Sequence, residues 1–425
     1  MGTTTAAPTA EPEAAPSAAL PAGARLLHIG LMKTGTTALQ HAASAHRADL
    51  AEHGVCYPGQ GVNHLYPVCA LMGRRLGWSA SGAVAPDLRW WRELMDEVRA
   101  AGDGRVLISH EFASECDDEQ AARFVDELGP STYVVITLRG FATLLGSSWQ
   151  QYVKAGRRKA FHPWLREVLA EPPRSSNLAR AFYRRHDQAA IVRRWLDVVG
   201  PERLIVVVAD REQPSLLPDA FSDLLGLPRG FLRDAGDVGE NRSLSWPEAE
   251  LLRQVNARVH EARIGWRPYE VLIRDGLIAR TLRTRRPSAR ESPMLLPAWA
   301  EGPALRRAAR YHDAVLASGC RIIGDPQRLL DRPPVGELPR PDVVPIDAAT
   351  EATAGLLSAA LGRGAQFDVT DRPLPPELQR LLRFQRGRRW VELNEANPTA
   401  TAGDLFVVAL LRAGKQLRRR LRRAG

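Results

Sequence analysis

Short apolar runs alternate with stretches of helical spacing through the first half of the chain. Arg25 to Gly30 (RLLHIG) is one such run, broken by glycine, and from Thr36 the apolar positions Leu39, Ala43 and Leu50 follow a helical pattern. Arg105 to Ser109 (RVLIS), Tyr133 to Leu138 (YVVITL) and Leu204 to Val208 (LIVVV) read as further buried strands, each with helical sequence before or after it. Alternating strands and helices predict an α/β fold with a mainly parallel sheet, whose ligand site lies at the carboxyl ends of the strands. From Trp246 the pattern turns helical, with Arg-rich segments such as Arg280 to Arg290, until Ile322, Ile323 and Gly324 predict a last strand. Proline-rich sequence from Arg332 to Pro345 then marks a boundary. Beyond it come a helical segment, a strand-like FVVALL run and a basic tail. The expected organisation is a leader over 1–23, one α/β domain over 24–334 with helical insertions, and a C-terminal appendage over 335–425.

Composition narrows the class. The chain has 425 residues, 44% hydrophobic and 25% charged, values of an ordinary globular protein that exclude wholesale disorder. Met1 to Gly23 is rich in Ala, Pro and Thr and lacks a basic region followed by an apolar core, so it reads as a disordered leader and not a secretory signal. The longest apolar run, Leu405 to Leu411, is too short to span a bilayer, and a cytoplasmic protein is expected. Cys56, Cys69, Cys116 and Cys320 lie far apart without a CxxC pair, which signals neither a zinc site nor a disulfide framework.

The formal charge is +10, yet the tail after Leu411 carries seven basic residues and no acid, leaving +3 on everything before it. Nucleic acid is a poor fit for that tail, because no aromatic residue is interleaved with its cations after Phe406. The segment from Leu405 to Arg423 is a candidate for peripheral contact with an anionic membrane surface, or a solvated helix with a frayed basic end.

The loop after the first strand carries the chemistry. Gly30-Leu31-Met32-Lys33-Thr34-Gly35-Thr36-Thr37 sets two glycines, a lysine and three threonines between a strand and a helix. Glycines let the backbone curl around a phosphate, while exposed N–H groups and the helix N-terminus attract the anion. A Walker A loop needs lysine where Thr36 stands, so an ATPase or GTPase is disfavoured. The plain alternative is a glycine-rich turn with an exposed lysine. Lys33 is nevertheless one of only four lysines, with Lys154, Lys159 and Lys415, in an arginine-dominated chain.

This loop resembles the nucleotide-binding loop of the sulfotransferases that use 3′-phosphoadenosine-5′-phosphosulfate, whose signature is lysine, a small residue, glycine, threonine, threonine. The wider run HIGLMKTGTTALQ, continuing to Gly54-Val55-Cys56-Tyr57-Pro58, looks like the bacterial branch of that family. The resemblance implies a P-loop-like three-layer domain in which Lys33, Thr34, Gly35, Thr36 and Thr37 grip the 5′-phosphosulfate and Lys33 stabilises the leaving oxygen. After the strand YVVITL come Arg139 and, eight residues on, Ser147, a pair that could hold a phosphate from two sides. In the family such a pair binds the cofactor's 3′-phosphate, although Phe141 stands where its proline is usual. Softer matches are Leu204 to Asp210 with Leu224-Leu225-Gly226-Leu227-Pro228, Asn241 to Ser245, and Gly324-Asp325-Pro326, so the likeness runs from about Arg25 to Pro334.

Sulfuryl transfer needs a cation on the leaving oxygen and a base near the nucleophile, and no metal in principle. His110 and Glu111 follow the strand RVLIS. Glutamate occupies this place in the related bacterial proteins and histidine in the cytosolic branch, which favours Glu111 over His110 as the base. His64 is a weaker acceptor-side candidate, and Trp78, Trp90, Trp91, Trp149 and Trp164 either line an aromatic acceptor pocket or belong to the core. The expected activity is transfer from 3′-phosphoadenosine-5′-phosphosulfate to a hydroxyl, or an amine, of a carbohydrate, lipid or secondary metabolite. The alternatives are a P-loop kinase-like phosphotransferase and a non-catalytic phosphate-binding module associated with membranes.

Overall fold

A computed structural model of the chain describes residues 19–78, 83–171, 176–233, 242–289, 291–339 and 343–362. Six strands form one parallel sheet: β1 (Arg25–His28), β2 (Val55–Cys56), β3 (Arg105–Ser109), β4 (Thr132–Leu138), β5 (Leu204–Val208) and β6 (Arg321–Ile323). Their order is β2-β3-β1-β4-β5-β6, with Leu27 of β1 opposite Ile108 of β3 and Val134 of β4. The α/β fold expected from the alternation is present, as a P-loop-like sheet with helices on both faces.

Side-chain alternation explains the layers. Leu27, Val106, Ile108, Val134, Ile136 and Val206 pack on one face with Trp91, Phe124 and Trp195. Leu26, Leu107, Val135, Ile205 and Val207 pack on the other with Leu39, Phe221 and Leu224. Both faces are covered, so these strands show no polar alternation. The sequence pattern missed β2, because two residues paired only with Arg105 and Val106 are too short for a periodic signal. The helix expected through Leu50 is two helices, Thr36–Ala45 and Arg47–Glu52, meeting at His46. Residues 1–18 of the leader lie outside the described residues. Leu20 belongs to the fold: it is buried, and its N–H donates to the Leu224 carbonyl at 2.9 Å.

A second, helical core gathers Phe141, Trp149, Phe161, Trp164, Trp246 and Tyr269. Trp149 and Trp164 are therefore core residues, as is Trp91 against the sheet, and none of the three lines an acceptor pocket. Trp78 leans on Tyr269 at the edge of this core, while the partly exposed Trp90 stacks on Tyr66. The helix Ile346–Ala360, from the segment read as an appendage, packs on the π-helical stretch Glu270–Ile278. Glycine at 276 and 355 permits this approach, since a Cβ on Gly355 would lie 2.5 Å from the Gly276 carbonyl oxygen. The FVVALL run and basic tail lie outside the described residues. No helix among the described residues is long and apolar enough to cross a membrane.

Buried charge closes the same interface. Arg285 donates to Glu248 at 2.8 Å, to both carboxylate oxygens of Glu291, and to Asp347 at 2.9 Å. The side chains of Arg285, Glu248 and Glu291 are buried, whereas that of Asp347 is 60% exposed. Removing one member of a buried ion cluster strands its partners, whereas an exposed member contributes little. Arg285→Met is expected to lower unfolding free energy by roughly 3–5 kcal/mol in urea titration. Asp347→Asn is expected to cost less than about 1 kcal/mol in the same assay, and equal losses would contradict this reading of the cluster.

Candidate functional site

Backbone pairing brings three chain segments together at the carboxyl edge of the sheet. Past the end of β1, the Ile29 N–H donates to Val135 O and the Leu31 N–H to Thr137 O, both at 3.0 Å. On the other side the His110 N–H donates to His28 O at 3.1 Å. The loop after β1, the His110-Glu111 pair after β3 and Arg139 after β4 therefore leave the sheet as neighbours.

The loop has little freedom. A Cβ on Gly30 would lie 2.1 Å from Thr137 Oγ1 and 2.5 Å from His28 Nε2, so the backbone rests directly on polar side chains. Lys33 has φ 72° and Gly35 φ 93°, both left-handed, an uncommon conformation for lysine. Residues of alternating hand turn successive N–H groups to one side, forming a concavity suited to an anion. The helix Thr36–Ala45 begins immediately afterwards with no side-chain cap on its first N–H groups. Thr36 is buried and Thr37 exposed. The Thr34 hydroxyl donates to Leu31 O at 2.7 Å and shares a 2.8 Å hydrogen bond with Thr137 Oγ1. Thr34 thus braces the loop from inside with its side chain, leaving its N–H as the group a ligand could use.

Beneath the loop lies a polar layer that the motif reading overlooked. His28 is enclosed between Ser109 Oγ, 2.8 Å from Nδ1, and Thr137 Oγ1, 3.3 Å from Nε2. Gln40 Nε2 donates to the same Ser109 hydroxyl at 3.1 Å. Burial, then the charge of His110, holds the His28 ring down to about 3, so it is neutral at ordinary pH. The available signal was a histidine and a threonine inside otherwise apolar strands, RLLHIG and YVVITL.

Cations converge above this layer. Burial, then the charge of Arg139, keeps the Lys33 ammonium below the ordinary lysine range. Burial, then Arg211, pushes Arg139 down to about 10, with Asp331 acting the other way. Arg139 Nη2 is buried with no hydrogen-bond partner. Among the described residues neither Lys33 nor Arg139 makes an ion pair. Desolvated charge without a counter-ion is unfavourable, and a bound anion offsets that cost. The orphan guanidinium nitrogen and the glycine cradle fit phosphate groups. Ser147 lies on the helix Phe141–Lys154, where its hydroxyl donates to Leu144 O at 2.9 Å. It borders a cavity of about 350 Å³ together with Thr143, Gly146, Arg211, Ser243 and Ser245.

The acid–base candidates differ in access. His110 is buried, and its Nδ1 accepts the Phe112 N–H at 3.0 Å as the cap of the 3-10 turn Glu111–Glu115. Burial depresses its pKa, with Glu111 the leading opposing influence. Glu111 keeps its side chain 23% exposed, with Oε2 4.0 Å from His110 Nε2. Glu115, at the other end of the turn, accepts from Arg74 at 2.6 Å and Arg185 at 2.9 Å, which anchors the turn. His64 is spent structurally: Nδ1 accepts the Ser109 N–H at 3.0 Å and Nε2 donates to Pro58 O at 2.8 Å. Burial holds it down to about 4. Among the described residues no group of three His, Cys, Asp or Glu side chains could hold a metal ion.

No family model matches the chain, and no curated protein matches it. Among solved structures, the chain is similar to the crystal structure of a sulfotransferase from Alicyclobacillus acidocaldarius, at 20% identity and a TM-score of 0.37. The match covers 57% of this chain and 95% of that one.

Proposed function

We propose that this chain is a sulfotransferase that moves the sulfuryl group of 3′-phosphoadenosine-5′-phosphosulfate to a hydroxyl, or an amine, of a carbohydrate, lipid or secondary metabolite. The observation that carries the reading is a pair of desolvated cations, Lys33 and Arg139, without ion-pair partners among the described residues, beside a glycine-threonine loop that opens a helix. A nucleotide phosphorylated at both the 5′ and 3′ positions supplies two anionic groups, one for each cation. The cavity beside Ser147 and Arg211 offers further room for such a ligand.

In this reading the loop N–H groups from Gly30 to Thr37, with Lys33, hold the phosphosulfate end. Arg139 holds the 3′-phosphate through its unpaired nitrogen, and Ser147 joins it once its hydroxyl turns from Leu144 O. Glu111 accepts the acceptor's proton as the acceptor oxygen bonds to sulfur. Lys33 neutralises the charge that gathers on the phosphate oxygen as its bond to sulfur breaks. His110 holds the turn that carries Glu111. The low dielectric around the cations strengthens both roles.

Calorimetric titration of adenosine 3′,5′-bisphosphate against ATP is the primary test, and preference for ATP would sink the reading. Arg139→Ala is expected to weaken adenosine 3′,5′-bisphosphate by about 1.5–3 kcal/mol, the usual worth of a charged hydrogen bond. Binding of adenosine 5′-monophosphate should hardly change, and equal losses for both nucleotides would misplace the 3′ site.

Lys33→Ala is expected to lower turnover by roughly 10²–10³-fold, as for loss of a transition-state donor. Its affinity for adenosine 3′,5′-bisphosphate should fall less, because the charge matters most as the leaving oxygen develops. Glu111→Gln should bind that nucleotide normally and fail to transfer labelled sulfate. An active Glu111→Gln beside an inactive His110→Ala would reverse the choice of base.

A further inference from the structure

Arg211 is a cation that neither the loop nor the Arg139-Ser147 pair accounts for, and the sheet places it close to both. In the pairing of β4 with β5, Leu138 lies opposite Val208, and just beyond them the Ala209 N–H donates to Leu138 O at 2.8 Å. Arg139 and the run Asp210-Arg211-Glu212 therefore leave the carboxyl edge from adjoining strands. Both exits are pinned. Arg139 O accepts from Gln188 at 2.8 Å, and Asp210 closes a turn around Arg211 by accepting the Glu212 N–H at 2.8 Å.

The acids nearby are committed elsewhere. Asp210 and Glu212 both pair with Arg328, leaving Arg211 between them with no hydrogen bond or ion pair among the described residues. Arg211 instead borders the cavity of about 350 Å³ that Ser147 also lines. The other charged side chain on that wall is Glu291, whose carboxylate already accepts from Ser245 at 2.7 Å, from the Ser288 N–H at 3.0 Å and from Arg285 at 3.0 Å. The charge left without a counter-ion in the cavity is therefore positive. After burial, the charge of Arg211 is the next influence that lowers Arg139, while Asp331 opposes it and lies 3.8 Å from Arg328. An anion between the two guanidinium groups relieves their repulsion and engages the unpaired Arg139 Nη2.

We infer that Arg211 is a specificity-determining residue of the nucleotide site: from the cavity it shares with Ser147, it grips the same 3′-phosphate as Arg139. The inference rests on the nucleotide reading above and adds to it a second guanidinium, supplied by the exit of β5. Its consequence is selection by position. A nucleotide that lacks the 3′-phosphate, or carries its additional charge at the 5′ end, gains little from Arg211.

Calorimetry of the full chain and of Arg211→Met, with three nucleotides at one ionic strength, tests this. Affinity for adenosine 3′,5′-bisphosphate is expected to fall about tenfold, the lower range for a charged hydrogen bond. Adenosine 5′-monophosphate and adenosine 5′-diphosphate should change less than about twofold, and the diphosphate controls for a diffuse field because its added charge sits at the 5′ end. Arg211→Lys keeps the charge and loses the planar fork, so its loss should fall between the other two proteins. All three should melt alike, because Arg211 is exposed and unpaired among the described residues. Unchanged affinity for the bisphosphate, or equal losses for bisphosphate and diphosphate, would overturn the inference, while a wild-type preference for the bisphosphate over the monophosphate would leave the nucleotide reading standing. If the wild-type chain shows no such preference, that reading falls and titration with inorganic phosphate decides for Arg211. Weaker phosphate binding in Arg211→Met keeps the anion grip, and no difference between the two proteins removes it.

Discussion

A strand paired on both sides in parallel has every hydrogen-bonding group along it committed to a neighbour, and β1 is such a strand, seated between β3 and β4. Its register decides where three connections emerge. Because His28 lies opposite Ser109 and Val135, the loop to Lys33, the turn to Glu111 and the exit through Arg139 cannot separate without breaking the sheet. A shift by one residue would turn His28 and Thr137 into the wrong layers and drive the apolar alternation out of register.

The polar layer under the loop follows from that pairing. His28, Ser109, Thr137 and Thr34 share hydrogen bonds within a region closed to solvent, and Gly30 lies so near them that no side chain fits. Satisfied networks of this kind are rigid, because each lost bond leaves a buried group unpaired. Rigidity in turn lets Lys33 adopt a left-handed backbone and lets cations stay desolvated beside one another. The molecule accepts unfavourable electrostatics at this edge, where an anion would relieve them, and neutralises them elsewhere, as in the Arg285 cluster.

Much of the framework could be read from the chain because its signals are local. Four apolar runs became β1, β3, β4 and β5, and Ile322-Ile323 became part of β6, since strands buried on both faces announce themselves by composition. The loop was legible as a strand-to-helix connection because its glycines stand between an apolar run and a helical pattern, which became Arg25–His28 and Thr36–Ala45. What escaped depended on tertiary partners. Val55–Cys56 is a strand only through Arg105 and Val106, and His64, the weaker acceptor-side candidate, has both ring nitrogens committed to Pro58 and Ser109. Trp149 could not be told from a pocket residue by spacing, because its helix Phe141–Lys154 has no exposed face.

The central claim is that one edge of the sheet holds two phosphate groups of one nucleotide, with the loop at one end and Arg139 at the other. A crystal structure of the chain grown with adenosine 3′,5′-bisphosphate tests it most directly. The account predicts the 5′-phosphate on the N–H groups between Gly30 and Thr37, within reach of Lys33, and the 3′-phosphate on the unpaired nitrogen of Arg139. A nucleotide bound in the opposite direction, or bound away from this edge altogether, would contradict it.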